Sequence, residues 1–100
     1  MLVKFKSNKL KKQYEDSDNA ISAYGDDVGK KYISRINIIK SSNSIDDLKT
    51  ISVIRCHKLK GDRKGEWAIN LTGKYRLIFT LHGENLEIAR IEEVSKHYDD

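Results

Sequence analysis

The sequence predicts an α+β fold in which an N-terminal strand and two helices pack on one face of a twisted antiparallel sheet. Two patterns carry this expectation. Residues 67–71 and 75–81 alternate large apolar side chains with polar or small ones, the two-residue period of half-buried strands. Upstream, Val28, Tyr32, Ile36 and Ile39 recur at helical intervals and form one apolar stripe. Helices followed by successive strands joined through short turns is the order of an α+β domain.

Val3 and Phe5 have the spacing of a short strand, and Ser7 or Asn8 suits the N-cap of a helix whose inner face holds Leu10 and Tyr14. The polar run at residues 15–19 interrupts that pattern. Gly25, Asp26 and Asp27 then lead into the second helix, where Lys30, Lys31 and Lys40 fall away from the apolar stripe. Residues 41–44 end it. Residues 54–59 are expected as a strand, followed by the loop Gly61-Asp62-Arg63-Lys64-Gly65. Trp67, Ile69 and Leu71 alternate with Ala68 and Asn70, which makes core packing the natural role of Trp67. After the turn Thr72-Gly73-Lys74, the side chains Tyr75, Leu77, Phe79 and Leu81 point inward and Arg76, Ile78 and Thr80 to the reverse. His82-Gly83-Glu84-Asn85 is a hairpin candidate before a last strand at residues 86–91.

A chain of 100 residues has room for one core, so residues 1–100 are expected as a single domain. Charged residues make up 34% of it and the mean hydropathy is -0.64, so a modest core lies under a highly charged surface. No apolar run is long enough to span a membrane, and the opening Met-Leu-Val-Lys-Phe meets charge too soon for a secretory signal. Cys56 is the only cysteine, which rules out an internal disulfide and points to a cytoplasmic location. It is expected to be an inert strand residue, since no base beyond the neighbouring His57 is fixed beside it.

The net charge of +4 is unevenly spread. Between Arg55 and Arg76 lie Lys58, Lys60, Arg63, Lys64 and Lys74, opposed only by Asp62 and Glu66. After Arg76, carboxylates dominate. The middle of the chain therefore carries a positive field that suits a polyanion, as well as a solvated strand-and-loop surface. No Walker pattern follows the loop glycines, so nucleoside triphosphate hydrolysis has no motif here. The three histidines lack the companion ligands of a zinc site, so neither a metal nor another cofactor is expected.

The segment His57-Lys58-Leu59-Lys60-Gly61-Asp62-Arg63-Lys64-Gly65-Glu66-Trp67-Ala68-Ile69-Asn70, followed by Tyr75-Arg76-Leu77-Ile78-Phe79, resembles the central signature of HigB-like toxins of the RelE/ParE superfamily. The resemblance extends less distinctively over the rest of the chain. It implies a small RelE-like fold and metal-independent cleavage of messenger RNA in the ribosomal decoding site. It further implies a cognate small antitoxin encoded in the same operon, contact with operator DNA only through that antitoxin, and no membrane partner. Carried onto this sequence, the family motif places its histidine at His57, its lysine at Lys60 and its strand arginine at Arg76. The terminal catalytic position falls at His97 or Tyr98. Members often end in an acidic-Tyr-His order, whereas this chain reads His97-Tyr98-Asp99-Asp100.

These residue types fit the chemistry. RNA supplies its own nucleophile, the 2′-hydroxyl, so the protein must move protons, align the attack and stabilise phosphoryl charge. Histidine, with a reference pKa of about 6.5, serves either proton-transfer role, which makes His57 and His97 the leading acid-base candidates and Tyr98 the alternative. The planar fork of Arg76 engages two phosphate oxygens, and Lys60 adds a second positive group. Lys58, Arg63, Lys64 and Lys74 are candidates for further phosphate contacts. Two other functions share these features: a ParE-like inhibitor of a DNA topoisomerase, and a noncatalytic module that binds an antitoxin in a regulatory complex.

Overall fold

Ser7 sets the first boundary of the fold, because its hydroxyl accepts the Leu10 amide at 3.2 Å and satisfies one open donor of a helix start. The computed structural model describes residues 1–96. Strand β1 (Leu2–Phe5) precedes that cap and helix α1 (Asn8–Glu15) follows it. Where the apolar pattern alone indicated two helices, a further one, α2 (Ser17–Tyr24), fills the polar run. Asp16 ends α1 and starts α2, its carboxylate accepting the Asp18 amide at 3.0 Å. The polarity there belongs to a shared cap, not to a loop.

Helix α3 (Asp26–Ser41) buries the whole expected stripe of Val28, Tyr32, Ile36 and Ile39. Tyr32 lies fully inside and donates its hydroxyl to the Leu10 carbonyl at 2.7 Å, which ties α1 to α3. Burial pushes its phenol well above the ordinary range, and raises Tyr24 in the same direction against the opposing hydrogen bond to Gln13. Helices α2 and α3 meet backbone to backbone at Gly29, where an added methyl would sit 2.8 Å from backbone atoms of Ala20 and Ile21. A short α4 (Ile45–Lys49) adds buried Leu48 to the core.

The sheet has the order β1-β5-β4-β3-β2, with β2 (His57–Lys58), β3 (Glu66–Asn70), β4 (Tyr75–His82) and β5 (Ile88–Lys96). The α+β class holds, but the sheet is mixed: β1 runs parallel to β5, and the other pairs are antiparallel. The β4–β5 hairpin fixes the direction of β5, and the helical crossover returns the chain so that β1 lies alongside it. The strand expected at residues 54–59 shrinks to two residues. Ser52–Ile54 is instead a 3-10 turn that buries Ile54, and Arg55 takes a left-handed conformation at φ 48 that breaks the extended run. Strand β5 runs on beyond residue 91, and a register shift between Ile78–Glu93 and Phe79–Ile91 leaves it one extra residue, Glu92.

The inner face of the sheet, with Trp67, Ile69, Leu77, Phe79 and Ile91 buried, packs with the α3 stripe into one core. Ala68 and Ile78 point to the reverse and are nonetheless fully buried. Among the described residues, no helix is long and apolar enough to cross a membrane. Gly29→Ala is expected to destabilise the fold by about 1–3 kcal/mol, because overpacking against backbone outweighs the roughly 1 kcal/mol gain in helix propensity. Denaturant unfolding measures the difference, and an unchanged or raised midpoint would show that α2 and α3 separate freely at this contact.

Candidate functional site

Three elements bring the basic residues of the sequence signature together. Edge strand β2 supplies His57 and Lys58, the loop after it supplies Lys60 and Arg63, and central strand β4 supplies Arg76. The loop reverses the chain through glycines at each end, Gly61 at φ 67 and Gly65 at φ 94, conformations that strain any residue with a Cβ. Its return is pinned by the Leu59 amide donating to the Glu66 carbonyl at 2.9 Å. A cleft of about 350 Å³ results, lined by His57, Lys58, Leu59, Lys60, Arg63 and Arg76.

His57 is exposed, and its Nδ1–H donates to the Arg55 carbonyl at 2.7 Å. A carbonyl only accepts, so this bond fixes the proton on Nδ1 of the neutral ring and leaves Nε2 with the lone pair that takes a proton. Arg76 is half-buried with its Nε inside, and sits on the reverse of β4 opposite Asn70 and Ser95. Lys58 places its ammonium 5.5 Å from the centre of the Trp67 ring while still lining the cleft. Trp67 itself is buried, in keeping with core packing.

Not every candidate gathers here. Lys64 and Lys74 are exposed and do not line the cleft. His97 and Tyr98 lie outside the described residues. His82 ends β4 as an exposed side chain, its Nε2 2.7 Å from the Thr80 hydroxyl, which also donates to Glu92 at 2.9 Å. Arg63 lines the cleft but is engaged by two carboxylates, donating to Glu66 at 3.3 Å and to Glu93 at 3.0 Å. Glu66 and Glu93 are the residues that sequence patterns miss. The Arg63–Glu66 spacing hints at one bond, whereas Glu93 approaches only through strand pairing. Among the described residues, no three His, Cys, Asp or Glu side chains come together as ligands of a metal ion would.

The same arrangement of strands and helices occurs in solved toxins of the RelE/ParE superfamily. A YoeB/ParE toxin from Agrobacterium tumefaciens superposes with a TM-score of 0.65 at 17% identity, over 98% of this chain and 100% of the other. YafQ from E. coli strain BL21(DE3) gives 0.60 at 17% identity over 94% and 90%. The toxin–antitoxin complex YoeB-YefM from Staphylococcus aureus gives 0.61 at 18% identity over 98% and 99%. No curated protein matches the chain in sequence. Residues 3–93 match the family model of HigB-like toxins, the RelE-like toxin of the type II toxin-antitoxin system HigB, and the chain belongs to that family.

Cys56, next to the cleft in sequence, is half-buried against the core, and burial pushes its thiol up to about 11, against the opposing charge of Lys49. The thiol therefore stays protonated near neutrality. Labelling of the folded protein with a disulfide reagent at pH 8 is expected to run roughly 10- to 100-fold slower than labelling of the urea-unfolded chain, because only the thiolate reacts. Equal rates in the two states would mean that Cys56 is an accessible, ionised nucleophile.

Proposed function

We propose that this chain is a ribosome-dependent endoribonuclease that cuts translated messenger RNA as the toxin of a type II pair. The observation that carries this is the single cleft shared by His57, Lys60 and Arg76. A phosphodiester seated there would have its non-bridging oxygens against the cations Lys60 and Arg76, which oppose the charge that grows on the phosphoryl group. Attack by the 2′-oxygen forms the new P–O bond as the P–O5′ bond breaks, leaving a 2′,3′-cyclic phosphate and a 5′-hydroxyl. One group removes the 2′-proton and another delivers a proton to the departing O5′. His57 fills one of these roles, its free Nε2 suiting the first and its imidazolium the second. His97 or Tyr98 fills the other.

Dependence on the ribosome fits the chemistry of the lining. Its side chains are cationic or apolar apart from His57, so they suit the phosphate backbone common to every sequence, and among base edges they favour only acceptor-rich ones such as that of guanine. Presentation and codon choice then fall to the ribosome. Arg76→Ala is expected to lower single-turnover cleavage of programmed ribosomes by roughly 100-fold or more at saturating protein. Arg76→Lys keeps the charge without the planar fork and recovers part of that loss. Circular dichroism and thermal melting separate lost chemistry from lost fold. A folded Arg76→Ala protein that cuts at the wild-type rate would remove Arg76 from the site, and growth arrest with intact messages would favour the topoisomerase-directed or noncatalytic function.

The partner in this proposal is a small antitoxin with an acidic, extended segment. The Staphylococcus aureus relative was solved in complex with YefM. In this chain a groove of about 610 Å³ runs beside edge strand β1, with Val3, Phe5, Lys4, Lys6, Lys11 and Lys40 in its walls. Leu2 donates its amide to the Glu87 carbonyl just before β5 at 3.0 Å and Lys6 donates to Ile91 of β5 at 2.9 Å, so the alternation of the strand turns the amides of Val3 and Phe5 outward. A partner strand added there would gain main-chain hydrogen bonds while its carboxylates meet the lysines. The triple variant Lys4→Glu, Lys11→Glu and Lys40→Glu is expected to weaken antitoxin binding by about 10-fold or more, mainly through slower association at low salt. Titration calorimetry and stopped-flow association read this directly, and unchanged binding would move the antitoxin to another face.

A further inference from the structure

We infer that Arg63 is a positioning residue, a latch that holds the loop of the cleft against the sheet, and not a ligand of the RNA phosphate. This rests on the ribonuclease function proposed above and assigns a different part to one of its cations.

The need for a latch follows from the weakness of the strand that carries His57. Strand β2 pairs only with β3, at two positions, His57 with Ala68 and Lys58 with Trp67. Two pairs at a sheet edge are marginal by themselves. Beyond them lie Lys60 and a loop whose main-chain ties are the Leu59 amide to Glu66 and the Lys64 amide to Gly61 at 3.1 Å. Lys60 thus stands on a short hairpin end, whereas Arg76 stands on the central strand with neighbours on both sides.

Arg63 closes that gap. One terminal nitrogen donates to Glu66 on β3 and the other to Glu93 on β5, so the guanidinium bridges across β4 on the reverse face, where Ala68 and Ile78 are fully buried. The Glu93 tie joins residues 30 positions apart and binds the loop to the strand pair that carries Arg76. Both carboxylates are only partly exposed, at 25% and 45% of their side chains, which strengthens the bonds beyond those of a fully solvated pair. The same fork offsets part of the negative charge of Glu66 and Glu93 beside a site proposed for a polyanion. An arginine already shared by two carboxylates meets a phosphate with its charge offset and both terminal nitrogens engaged, which weakens it as a phosphate ligand.

A coupling experiment separates latch from ligand. Single-turnover cleavage of programmed ribosomes is measured against protein concentration for Arg63→Ala, for Glu93→Gln, for the pair Glu66→Gln and Glu93→Gln, and for Arg63→Ala combined with Glu93→Gln. Positioning predicts that Arg63→Ala and Glu93→Gln each lower the limiting rate, by roughly 10- to 100-fold for the arginine, with a smaller change in the half-saturating concentration. It also predicts that the combined variant is no worse than Arg63→Ala alone, because both break one contact. Amide exchange at Leu59, measured without RNA, is expected to quicken in the same variants by about tenfold as the loop opens locally. The inference is overturned if the Glu66→Gln and Glu93→Gln pair cuts as fast as wild type or faster while Arg63→Ala raises the half-saturating concentration at an unchanged limiting rate. It is overturned equally if Leu59 exchange is unchanged in Arg63→Ala. A wild-type protein inert on ribosomes would sink the ribonuclease function and leave the latch to be decided by the exchange measurement.

Discussion

The cleft exists because β4 is held in one register from both sides. Its residues pair with β3 along one edge and with β5 along the other, and this fixes which side chains meet the core. Leu77 and Phe79 are fully buried on the inner face, so a slip of one residue would turn them to the reverse face, where of the β4 places between Arg76 and Thr80 only that of Ile78 is fully buried, and drive Arg76 and Thr80 into the core. Moving such a side chain to a half-exposed place costs part of its burial energy of about 1.5–3 kcal/mol, and burying a lone guanidinium adds to that. The placement of Arg76 is therefore a by-product of hydrophobic sorting, and its position is as rigid as the centre of the sheet.

Much of this was legible in the sequence because it rests on periodicity. The alternation of residues 75–81 and the stripe on α3 gave both faces of the core, and the cap at Ser7 carried its own chemistry. What failed to show was set by individual residues or by pairing at a distance. A single aspartate, Asp16, divides a polar run into the end of one helix and the start of another, which reads from sequence as a coil. The left-handed Arg55 cuts short a strand that its apolar neighbours favour. The parallel pairing of β1 with β5 joins opposite ends of the chain and leaves no local trace. For the site, the basic signature pointed to His57, Lys60 and Arg76, which line one cleft. It could not show that Arg63 is shared by Glu66 and Glu93, nor that Lys64 and Lys74 stand apart.

The extra residue in β5 shapes the reverse face. Because two residues of β5 occupy the space of one on β4, Glu92 and Glu93 stand side by side and each finds a different partner: Glu92 accepts from Thr80 and lies 3.6 Å from Arg90, while Glu93 accepts from Arg63. Adjacent carboxylates are thereby compensated by separate cations. The pairs on α3, Lys30 with Asp26 and Lys31 with Asp27, are largely exposed i,i+4 contacts and contribute little beyond solubility. The contacts of Arg63 join distant segments at partly buried positions, so they restrict geometry as well as lower energy.

The sheet order also constrains inhibition by a partner. Strand β1 and strand β2 are the two edges of a five-stranded sheet, so a segment added outside β1, as proposed, would lie about five spacings, roughly 24 Å at about 4.8 Å per strand, from the cleft edge at β2. Occupation of the β1 groove alone leaves the cleft uncovered. An antitoxin anchored there would either send a further segment of about seven extended residues across the sheet, at roughly 3.3 Å per residue, or block the ribosome with its own bulk. On the reverse face Glu92 and Glu93 are already paired with Arg90 and Arg63, so they oppose a crossing acidic segment only weakly. Charge would therefore select a crossing segment at its two ends, at the lysines beside β1 and at the cations of the cleft, whereas an inhibitor that acts by bulk needs acidic character only at β1.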